Sequence, residues 1–490
     1  MSMSEAQSLL RRSNNKNSRS LTSILVFATL VTCLGSIQFG YHTAELNAPQ
    51  SVLTCSEFKI PKEGLTYGDT WLGRHGMKQC IPLDDVQFGV VTAVFSIGGL
   101  IGSFFAGLAA DMFGRKKASL FASILGLFGS LVLFGSNSYA ALVVGRVIVG
   151  LASGIYVVIT SLFINEICPM ELKGAFGSMN QLSINSGILL TQTLALKWAD
   201  TYNWRWLMFA AGVTSVITFL LWLLVDESPR WLLTKGYVSA AIKSLEKLRG
   251  GNRELAKQEV QLWENELGGS ADGTAQAYTS TKPPSPWEYV KNSIYSKPRA
   301  AIAVILIGQQ FCGINSIILY GVKVISQLLP DHAIQINFAI SIINVVMTFV
   351  ASLIIDRLGR KPLLMGSATI MGISALAISV GIKASMAILL VSSTLVYITS
   401  FALGLGPIPL LIIGELSAPT DVATAQSFGT VCNWVGTFVI AFAFPILHDL
   451  LGGYVYMIFT FVAAAFVSWV YKHVPETKDK DSYEHVWNGY

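Results

Sequence analysis

The feature that most constrains this chain is a series of long apolar runs, each of about the length that crosses a lipid bilayer. Only 13% of its 490 residues are charged and 52% are hydrophobic, whereas soluble proteins carry about 25% charged residues. Because backbone groups inside a bilayer must bond within their own segment, each run is predicted to be a helix. We count twelve runs, near residues 22–47, 87–110, 118–136, 140–163, 177–198, 206–225, 300–325, 335–355, 362–382, 386–413, 423–447 and 452–472.

The polar segments between the runs carry the basic residues in short clusters. Arg115-Lys116-Lys117 follows the second run, and Arg357 with Arg360-Lys361 follows the eighth. With an even number of spans, both clusters lie on the side of the two termini. Positive residues favour the cytosolic side, so both termini are predicted to be cytosolic. Clusters of this kind are typical of membrane topology, and no nucleic-acid partner is expected.

The order of these segments predicts an all-α membrane protein with two six-helix bundles and a small cytosolic helical domain. Within the central polar segment, Val238–Leu267 has a helical period and Gly268–Pro286 is typical of a flexible linker. The predicted parts are a cytosolic tail (1–20), an N-terminal bundle (21–225) with a polar luminal or extracellular loop (about 48–86), a cytosolic helical linker domain (226–299), a C-terminal bundle (300–472) and a cytosolic tail (473–490).

Three motifs recur in the second half of the chain, at an offset of about 245 to 249 residues, and such repetition indicates two related six-helix halves in parallel orientation. The repeated pieces are Asp111 with Gly114-Arg115-Lys116 and Asp356 with Gly359-Arg360-Lys361, then Glu166 and Glu415, then Glu227 and Glu476.

An unusual group of amides lies in the seventh run. Gln309, Gln310 and Asn315 surround Gly313, and lipid cannot satisfy them. A loosened helix at membrane depth is typical of a transporter substrate site, but amides also hold membrane helices together. On composition alone both interpretations stay open. In the fifth run Gln181, Asn185 and Gln192 are spaced by four and seven residues, which places them on one helical face.

With these motifs in view, the chain resembles the sugar porter branch of the major facilitator superfamily from about Gly35 to Lys478. The finer details Gln38–His42, Asn47–Gln50 and the Cys55/Cys80 loop are similar to yeast vacuolar-membrane hexose-transporter-like proteins. The other matching pieces are Gly145-Arg146 with Gly150 and Gly154, Lys173-Gly174, Glu227–Arg230, Gln309–Tyr320, Gly404–Pro409, Asn433-Trp434 and Pro475–Lys478.

The resemblance implies alternating access around a site for a small neutral sugar, with no cofactor and no metal. An amide both donates and accepts without charge, which suits sugar hydroxyls. Trp434 is either an apolar face for the sugar ring or an ordinary core aromatic. The implied hydroxyl-binding residues are Gln181, Gln309, Gln310, Asn315, Asn344 and Asn433.

Three departures from the family pattern bear on the cargo and its coupling. His42 stands where proton-coupled members carry Asp, so it is either a proton-coupling group or a neutral hydrogen-bonding residue. Leu319 and Leu410 replace aromatic residues, which puts the identity of the sugar in question. We expect a facilitative hexose uniporter, not an enzyme. A proton-coupled sugar or polyol transporter and a non-transporting sugar sensor remain alternatives.

The resemblance also implies salt bridges between the cytosolic ends of helices, forming a gate that breaks on opening. Half-solvated ion pairs, worth about 0–1 kcal/mol each, suit such a gate. Plain positive-inside topology explains part of the same pattern. The implied gate residues are Asp111, Arg115, Arg146, Glu166, Lys173, Glu227, Arg230, Asp356, Arg360 and Glu415.

The tails and the first loop give the remaining predictions. Glu5 with Leu9 and Leu10 resembles an acidic dileucine sorting signal read by an adaptor. This favours the vacuolar membrane over the plasma membrane, although a signal-free tail is equally compatible with the pattern. Cys55 and Cys80 pair if their loop faces an oxidising compartment. A functional monomer in the lipid bilayer is expected.

Overall fold

The computed structural model describes residues 21–57, 66–169, 172–268, 285–418, 421–478, 480 and 483–487. The predicted sorting signal at Glu5, Leu9 and Leu10 lies outside these residues. The membrane-length helices are α1 Ser23–Ala44, α2 Asp85–Phe113, α3 Arg115–Phe134, α4 Tyr139–Ile167, α5 Lys173–Trp198, α6 Arg205–Leu224, α7a Ser296–Phe311 with α7b Ile314–Ser326, α8 Ala333–Leu358, α9 Arg360–Lys383, α10a Ala387–Ser400 with α10b Ile408–Leu416, α11 Val422–Leu451 and α12 Val455–His473.

The prediction of an all-α membrane protein with twelve spans in two six-helix halves is confirmed. Ten stretches of the described chain are long and apolar enough to cross a membrane without other support, and one of these, Thr424–His473, contains both α11 and α12. The helix α5 is not among them, because polar residues interrupt its apolar sequence. The polarity that weakens α5 as a membrane span is the first indication of where a site lies.

Two names for the faces of the molecule are used below. The terminal face carries the beginning of α1, the end of α12 and the polar helices of the central segment. The disulfide face carries the loop between α1 and α2, where Cys55 and Cys80 form a disulfide. Odd-numbered helices run from the terminal face to the disulfide face, and even-numbered helices return.

The two halves use the same device where a pair of helices turns at the terminal face. Gly114 between α2 and α3 and Gly359 between α8 and α9 have φ of 94° and 90°, a conformation that favours glycine. Glu227 accepts hydrogen bonds from the first backbone N–H groups of α3 at 2.9 and 3.1 Å. Glu476 does the same for α9 at 3.0 and 3.1 Å. A carboxylate stabilises a helix N-terminus, so the repeated sequence motifs form repeated helix caps.

The central polar segment folds as short helices on the terminal face: Pro229–Thr234, Val238–Leu248, Arg253–Gly268 and Pro286–Lys291. The segment Val238–Leu267, whose sequence has a helical period, consists of two helices, because Gly250 and Gly251 between them both have positive φ. Arg249 docks them onto the bundle by donating to the carbonyl of Ile167 at 3.0 Å. Most of the predicted flexible linker lies outside the described residues.

Candidate substrate cavity

The seventh helix is broken where the sequence places its amides. Helix α7a ends at Phe311, and α7b begins at Ile314 after Gly313, whose φ is 98°. A Cβ at Gly313 would stand 2.4 Å from the ring of Phe459, so both the backbone and the space require glycine. The carbonyl freed at Cys312 accepts the Tyr397 hydroxyl at 2.6 Å. The break is therefore satisfied by neighbouring groups and holds its amides in fixed places.

The tenth helix loosens opposite this break. Its residues Phe401–Leu405 form a widened π-type turn before Gly406 and Pro407. Gln309 donates from Nε2 to the carbonyl oxygens of Leu405 at 2.7 Å and Gly406 at 3.3 Å. Turns of this kind occur often at functional sites. Here the turn supplies the carbonyl groups that orient Gln309.

The predicted amides of α7 and α11 form one hydrogen-bonded chain. Gln309 Oε1 accepts from Asn433 Nδ2 at 2.9 Å and from Gln310 Nε2 at 3.1 Å. Asn315 Nδ2 donates to Gln310 Oε1 at 2.6 Å and lies 3.4 Å from Thr437 Oγ1. Each member orients the next, and atoms of the chain still border an open cavity.

The opposing amides come from α5 and α8. Gln181 Nε2 donates to Asn185 Oδ1 at 3.2 Å. Asn185 then reaches across the two halves, donating to Asn344 Oδ1 at 3.2 Å and to Thr348 Oγ1 at 2.7 Å. Asn344 differs from the other predicted binding residues, because it lines a smaller neighbouring cavity rather than the main one.

A cavity lies between the halves, lined by residues from both of them. The residues lining it are uncharged. Leu319 and Leu410, which stand where the family pattern has aromatic residues, both lie in its wall. The polar groups around it are Gln181, Asn185, Gln309, Gln310, Asn315, Asn433, Thr43, Thr92, Ser96, Thr430 and Thr437.

Trp434 gives the cavity an aromatic wall. Its ring packs edge-on against Phe39 and Phe95, with centroids 5.3 and 5.7 Å away, and its Nε1 donates to Ser103 Oγ at 2.8 Å. Gly99 leaves the space that the indole fills, since a Cβ there would stand 2.5 Å from the ring. With its polar group bonded inside the protein, the indole presents apolar surface to the cavity.

A buried ionic cluster lies beside this aromatic wall, toward the disulfide face. His42 Nδ1 is 3.0 Å from Glu45 Oε2, and Glu45 Oε1 is 2.8 Å from Arg146 Nη1. All three side chains are at most 1% exposed. The guanidinium of Arg146 also lies 4.5 Å from the centre of the Phe95 ring, which itself lines the cavity.

The structure corrects the predicted position of Arg146. The sequence analysis placed it in the gate at the terminal face, but α4 begins at the disulfide face with Tyr139. Seven residues of helix, about 10 Å, bring Arg146 only part of the way across. Glu45 was missed altogether. A single acidic residue near the end of the first apolar run was the signal that could have found it.

Other predicted gate residues form one cluster in each half at the terminal face. Arg115 binds both carboxylate oxygens of Glu166 at 2.7 and 3.0 Å, and Asp111 at 3.3 Å. Arg360 binds Glu415 at 2.9 and 3.0 Å. Each of these ion pairs therefore joins helices of the same half. The side chains of Lys173 and Asp356 lie outside the described residues.

Glu227 and Arg230 have other surroundings than the predicted gate. Glu227 caps α3 through backbone N–H groups, as described above. Burial raises the pKa of its carboxyl, although the N–H groups that it accepts act in the opposite direction. Arg230 lies 5.8 Å from the ring of Trp263 in the central polar segment. Glu227 therefore joins the central segment to the bundle, whereas the contact of Arg230 with Trp263 joins two helices of that segment.

Comparison with known proteins gives one consistent family. A family model described as "Sugar (and other) transporter" matches residues 28–487. The Saccharomyces cerevisiae protein "Probable metabolite transport protein YBR241C" is 56% identical over 489 residues, covering all of both chains. "Vacuolar protein sorting-associated protein 73" of the same yeast is 48% identical, covering 94% of this chain and 96% of its own.

More distant relatives also match nearly the whole length of this chain. The "Solute carrier family 2, facilitated glucose transporter member 2" of Gallus gallus is 28% identical, covering 97% of this chain and 95% of its own. Among solved structures, the major facilitator superfamily proton:xylose symporter XylE, bound to 6-bromo-6-deoxy-D-glucose, superposes with a TM-score of 0.74. It is 23% identical and covers 95% of this chain and 99% of its own. That likeness shows a shared fold.

Proposed function

Because this chain belongs to the Sugar (and other) transporter family, we propose that it carries a monosaccharide, a hexose such as glucose, across a membrane by facilitated alternating access. The observation that carries the proposal is the cavity between the halves, lined by uncharged amides. A hydroxyl both donates and accepts a hydrogen bond, and so does an amide. Charged cargo would find no counter-charge among the residues that line this cavity.

The amides suit a site that must also release its cargo. The amides bond to one another along α7 and α11, so a sugar exchanges these bonds for its own. The net gain of such an exchange is small, about 0.5–1.5 kcal/mol for each bond. We propose millimolar affinity, about −4 kcal/mol, because a site that binds much more tightly releases cargo slowly.

Alternating access requires contacts between the halves that break. At the disulfide face Asn47 Nδ2 donates to the carbonyl of Ile318 at 2.8 Å, and its Oδ1 accepts from Val322 N at 3.0 Å. Lys323 Nζ is also 2.6 Å from Asp85 Oδ1. These contacts join α7b to the first half. We propose that they form the gate on this side. The Arg115 and Arg360 clusters each lie within one half, and we propose that they fix the helix ends that meet and part at the gate on the other side.

The leucines in the cavity wall leave room for a different cargo. Leu319 and Leu410 offer no aromatic face, so selectivity depends on Trp434 and the amides. A polyol has hydroxyls but no ring to stack. A screen of labelled hexoses, pentoses and polyols in vesicles tests the choice, and preferential uptake of a polyol would replace the hexose in this proposal.

The decisive experiment is uptake of labelled glucose into vesicles that contain the purified protein. The Gln309→Ala variant removes the centre of the amide chain and is expected to lower uptake about tenfold or more. Gln335→Ala is the matched control, because Gln335 is an exposed residue of α8 outside the cavity lining. Equal uptake by wild type and Gln309→Ala would remove the amides from the mechanism. Binding without uptake would instead favour a sensor.

A second function, coupling to protons, is favoured by the His42–Glu45–Arg146 cluster. A histidine paired with a carboxylate beside the cavity is a group that can take up a proton during the cycle. An imposed pH gradient then drives accumulation of sugar, and Glu45→Gln and His42→Gln abolish that accumulation. If sugar uptake by the wild type does not depend on the pH gradient, the mechanism is facilitated diffusion. The cluster then has a fixed structural role.

We further propose residence in the vacuolar membrane, with both termini in the cytosol. Support comes from the name of the yeast relative that is 48% identical, "Vacuolar protein sorting-associated protein 73", and from the Glu5, Leu9 and Leu10 pattern. Replacing Leu9 and Leu10 by Ala in a fluorescent fusion should move the protein to the plasma membrane. An unchanged location would discard this signal and its adaptor.

A further inference from the structure

Two polar stripes face each other between the halves. The α5 stripe consists of Gln181, Asn185 and Gln192, and the α8 stripe of Asn337, Ser341 and Asn344. Spacings of three, four and seven residues keep each stripe on one side of its helix. Helix α5 belongs to the first half and α8 to the second, so the stripes lie where the halves must move against each other.

Among the described residues, the stripes are hydrogen-bonded to each other at one end. Toward the terminal face, Asn185 donates to Asn344 and Thr348 across the seam. Toward the disulfide face, Gln192 is fully buried, yet neither its Oε1 nor its Nε2 has a hydrogen-bond partner. Leaving such a group unsatisfied is costly, and buried polar groups are nearly always bonded. A protein that keeps this amide has a use for it in another state or with a ligand.

Gln192 faces a small side cavity with room for about one hydroxyl-sized group, and the wall of this cavity also contains Asn337, Ser341 and Asn344. Ile188 and Ile318 line both this cavity and the main one. Each of the two comes from a different half, so together they form an apolar constriction between the cavities. The side cavity is therefore the next polar position on the way from the main cavity to the disulfide face.

We propose that Gln192, Asn337 and Ser341 form a second subsite, on the disulfide side of the main cavity, for a neutral hydroxyl-bearing cargo. The proposal rests on the transport function proposed above. Gln192 offers a free donor and a free acceptor at one point, which is what a single hydroxyl needs. Residues lining the side cavity are uncharged. Cargo pauses here, passes Ile188 and Ile318 as the halves move, and then meets the amides of α7.

The first test is the accessibility of this position. A Gln192→Cys variant is placed in sealed vesicles and treated from the disulfide side with a membrane-impermeant thiol reagent. We expect labelling above the wild-type background and slower labelling when D-glucose is present. Thr193→Cys is the matched control: Thr193 is the next residue of α5 and is exposed on the outside of the bundle, so it should not respond to glucose.

The second test uses Gln192→Leu, which replaces the unbonded amide by an apolar group of similar size. Thermal stability should be unchanged or higher, because an unsatisfied group is removed. The KM for glucose presented at the disulfide face should rise roughly fivefold, the loss of about one hydrogen bond, with less than a twofold change for glucose at the terminal face. If Gln192 had a purely structural role, Gln192→Leu would instead lower the thermal stability, and the KM for glucose would change equally at the two faces.

The outcomes separate the two proposals. If wild type takes up glucose but glucose does not slow labelling of Gln192→Cys, or Gln192→Leu changes KM equally on both faces, the subsite is refuted and transport stands. If wild type takes up none of the sugars or polyols screened, the transport proposal fails and the subsite falls with it.

Discussion

The two halves of this protein share a fold but bury different chemistry. In the C-terminal half, α7 and α10 are broken and an uncharged chain of amides fills the gap between them. In the N-terminal half, the described helices are continuous, and the cluster of His42, Glu45 and Arg146 is buried next to the cavity. Repetition of a fold therefore preserved the helix caps at the terminal face while the interior of each half was specialised separately.

This difference indicates that the two halves have different roles in binding and in holding the helices together. Amides hold a neutral guest and release it, because their bonds are exchanged at little net cost. A buried ion pair is costly to break, so it either fixes helices α1, α2 and α4 together or changes with protonation. The predictions that follow compare the halves, beginning with the largest expected effect.

The largest effect is expected from Glu45→Ala in the N-terminal half. Arg146 would be left as an unpaired buried charge, and breaking such a pair costs about 3–5 kcal/mol. The melting temperature of purified protein in detergent measures this. The double variant Glu45→Leu/Arg146→Met should recover most of the loss, because no charge is then left alone. A double variant as unstable as the single one would mean that the pair is not what holds these helices.

The next effect compares amides from the two halves. Gln309 has bonds to Leu405, Gly406, Gln310 and Asn433, whereas Gln181 has one to Asn185. We expect Gln309→Ala to lower glucose uptake well over tenfold and Gln181→Ala about fivefold, at about 1 kcal/mol for each bond lost. Initial uptake rates at low glucose provide the measurement. Equal losses would show that the halves contribute alike to binding.

The helix caps offer a symmetric comparison. A Cβ would stand 2.2 Å from Glu227 Oε2 at Gly114 but 2.8 Å from Glu476 Oε2 at Gly359. An alanine at either position must also adopt the positive φ that glycine has there. We expect each substitution to lower the free energy of unfolding by about 1–3 kcal/mol, with the greater loss at Gly114. Melting temperatures give the answer, with Gly366→Ala as the control because no atom lies near its Cβ position. A greater loss at Gly359 would contradict the packing argument.

The smallest effect concerns the contact that joins the halves at the disulfide face. Lys323 and Asp85 are 28% and 51% exposed, and exposed ion pairs contribute about 0–1 kcal/mol. Lys323→Ala should change uptake by no more than a few fold, and high salt should remove the difference from wild type. Lys383→Ala is the control on the same face, since Lys383 lies over Tyr454 within the second half. A large loss of uptake that does not depend on salt would show that Lys323 has a different role.

The sequence predicted most of the architecture, and the positions where it failed have a common cause. The broken α7 was foreseen from Gly313 among amides, because a local pattern produces it. Arg146 was assigned to the wrong face, and Glu45 and the helix caps made by Glu227 and Glu476 were missed. Each depends on how deep a residue lies and which helix stands opposite. Helical spacing shows on which face of its own helix a residue lies. It does not show which residue of another helix packs against that face.

By itself the sequence determined the number of spans, the two related halves and the uncharged polar character of the interior. These follow from apolar length, repeated motifs and residue type, which are properties of the chain alone. Tertiary structure decided that Gln309 and Asn433 bond while Gln192 stays unbonded, and that Glu45 meets Arg146. Such pairings depend on how deep each helix lies and how it is rotated against its neighbours. Contacts among many residues that are far apart in the chain determine both.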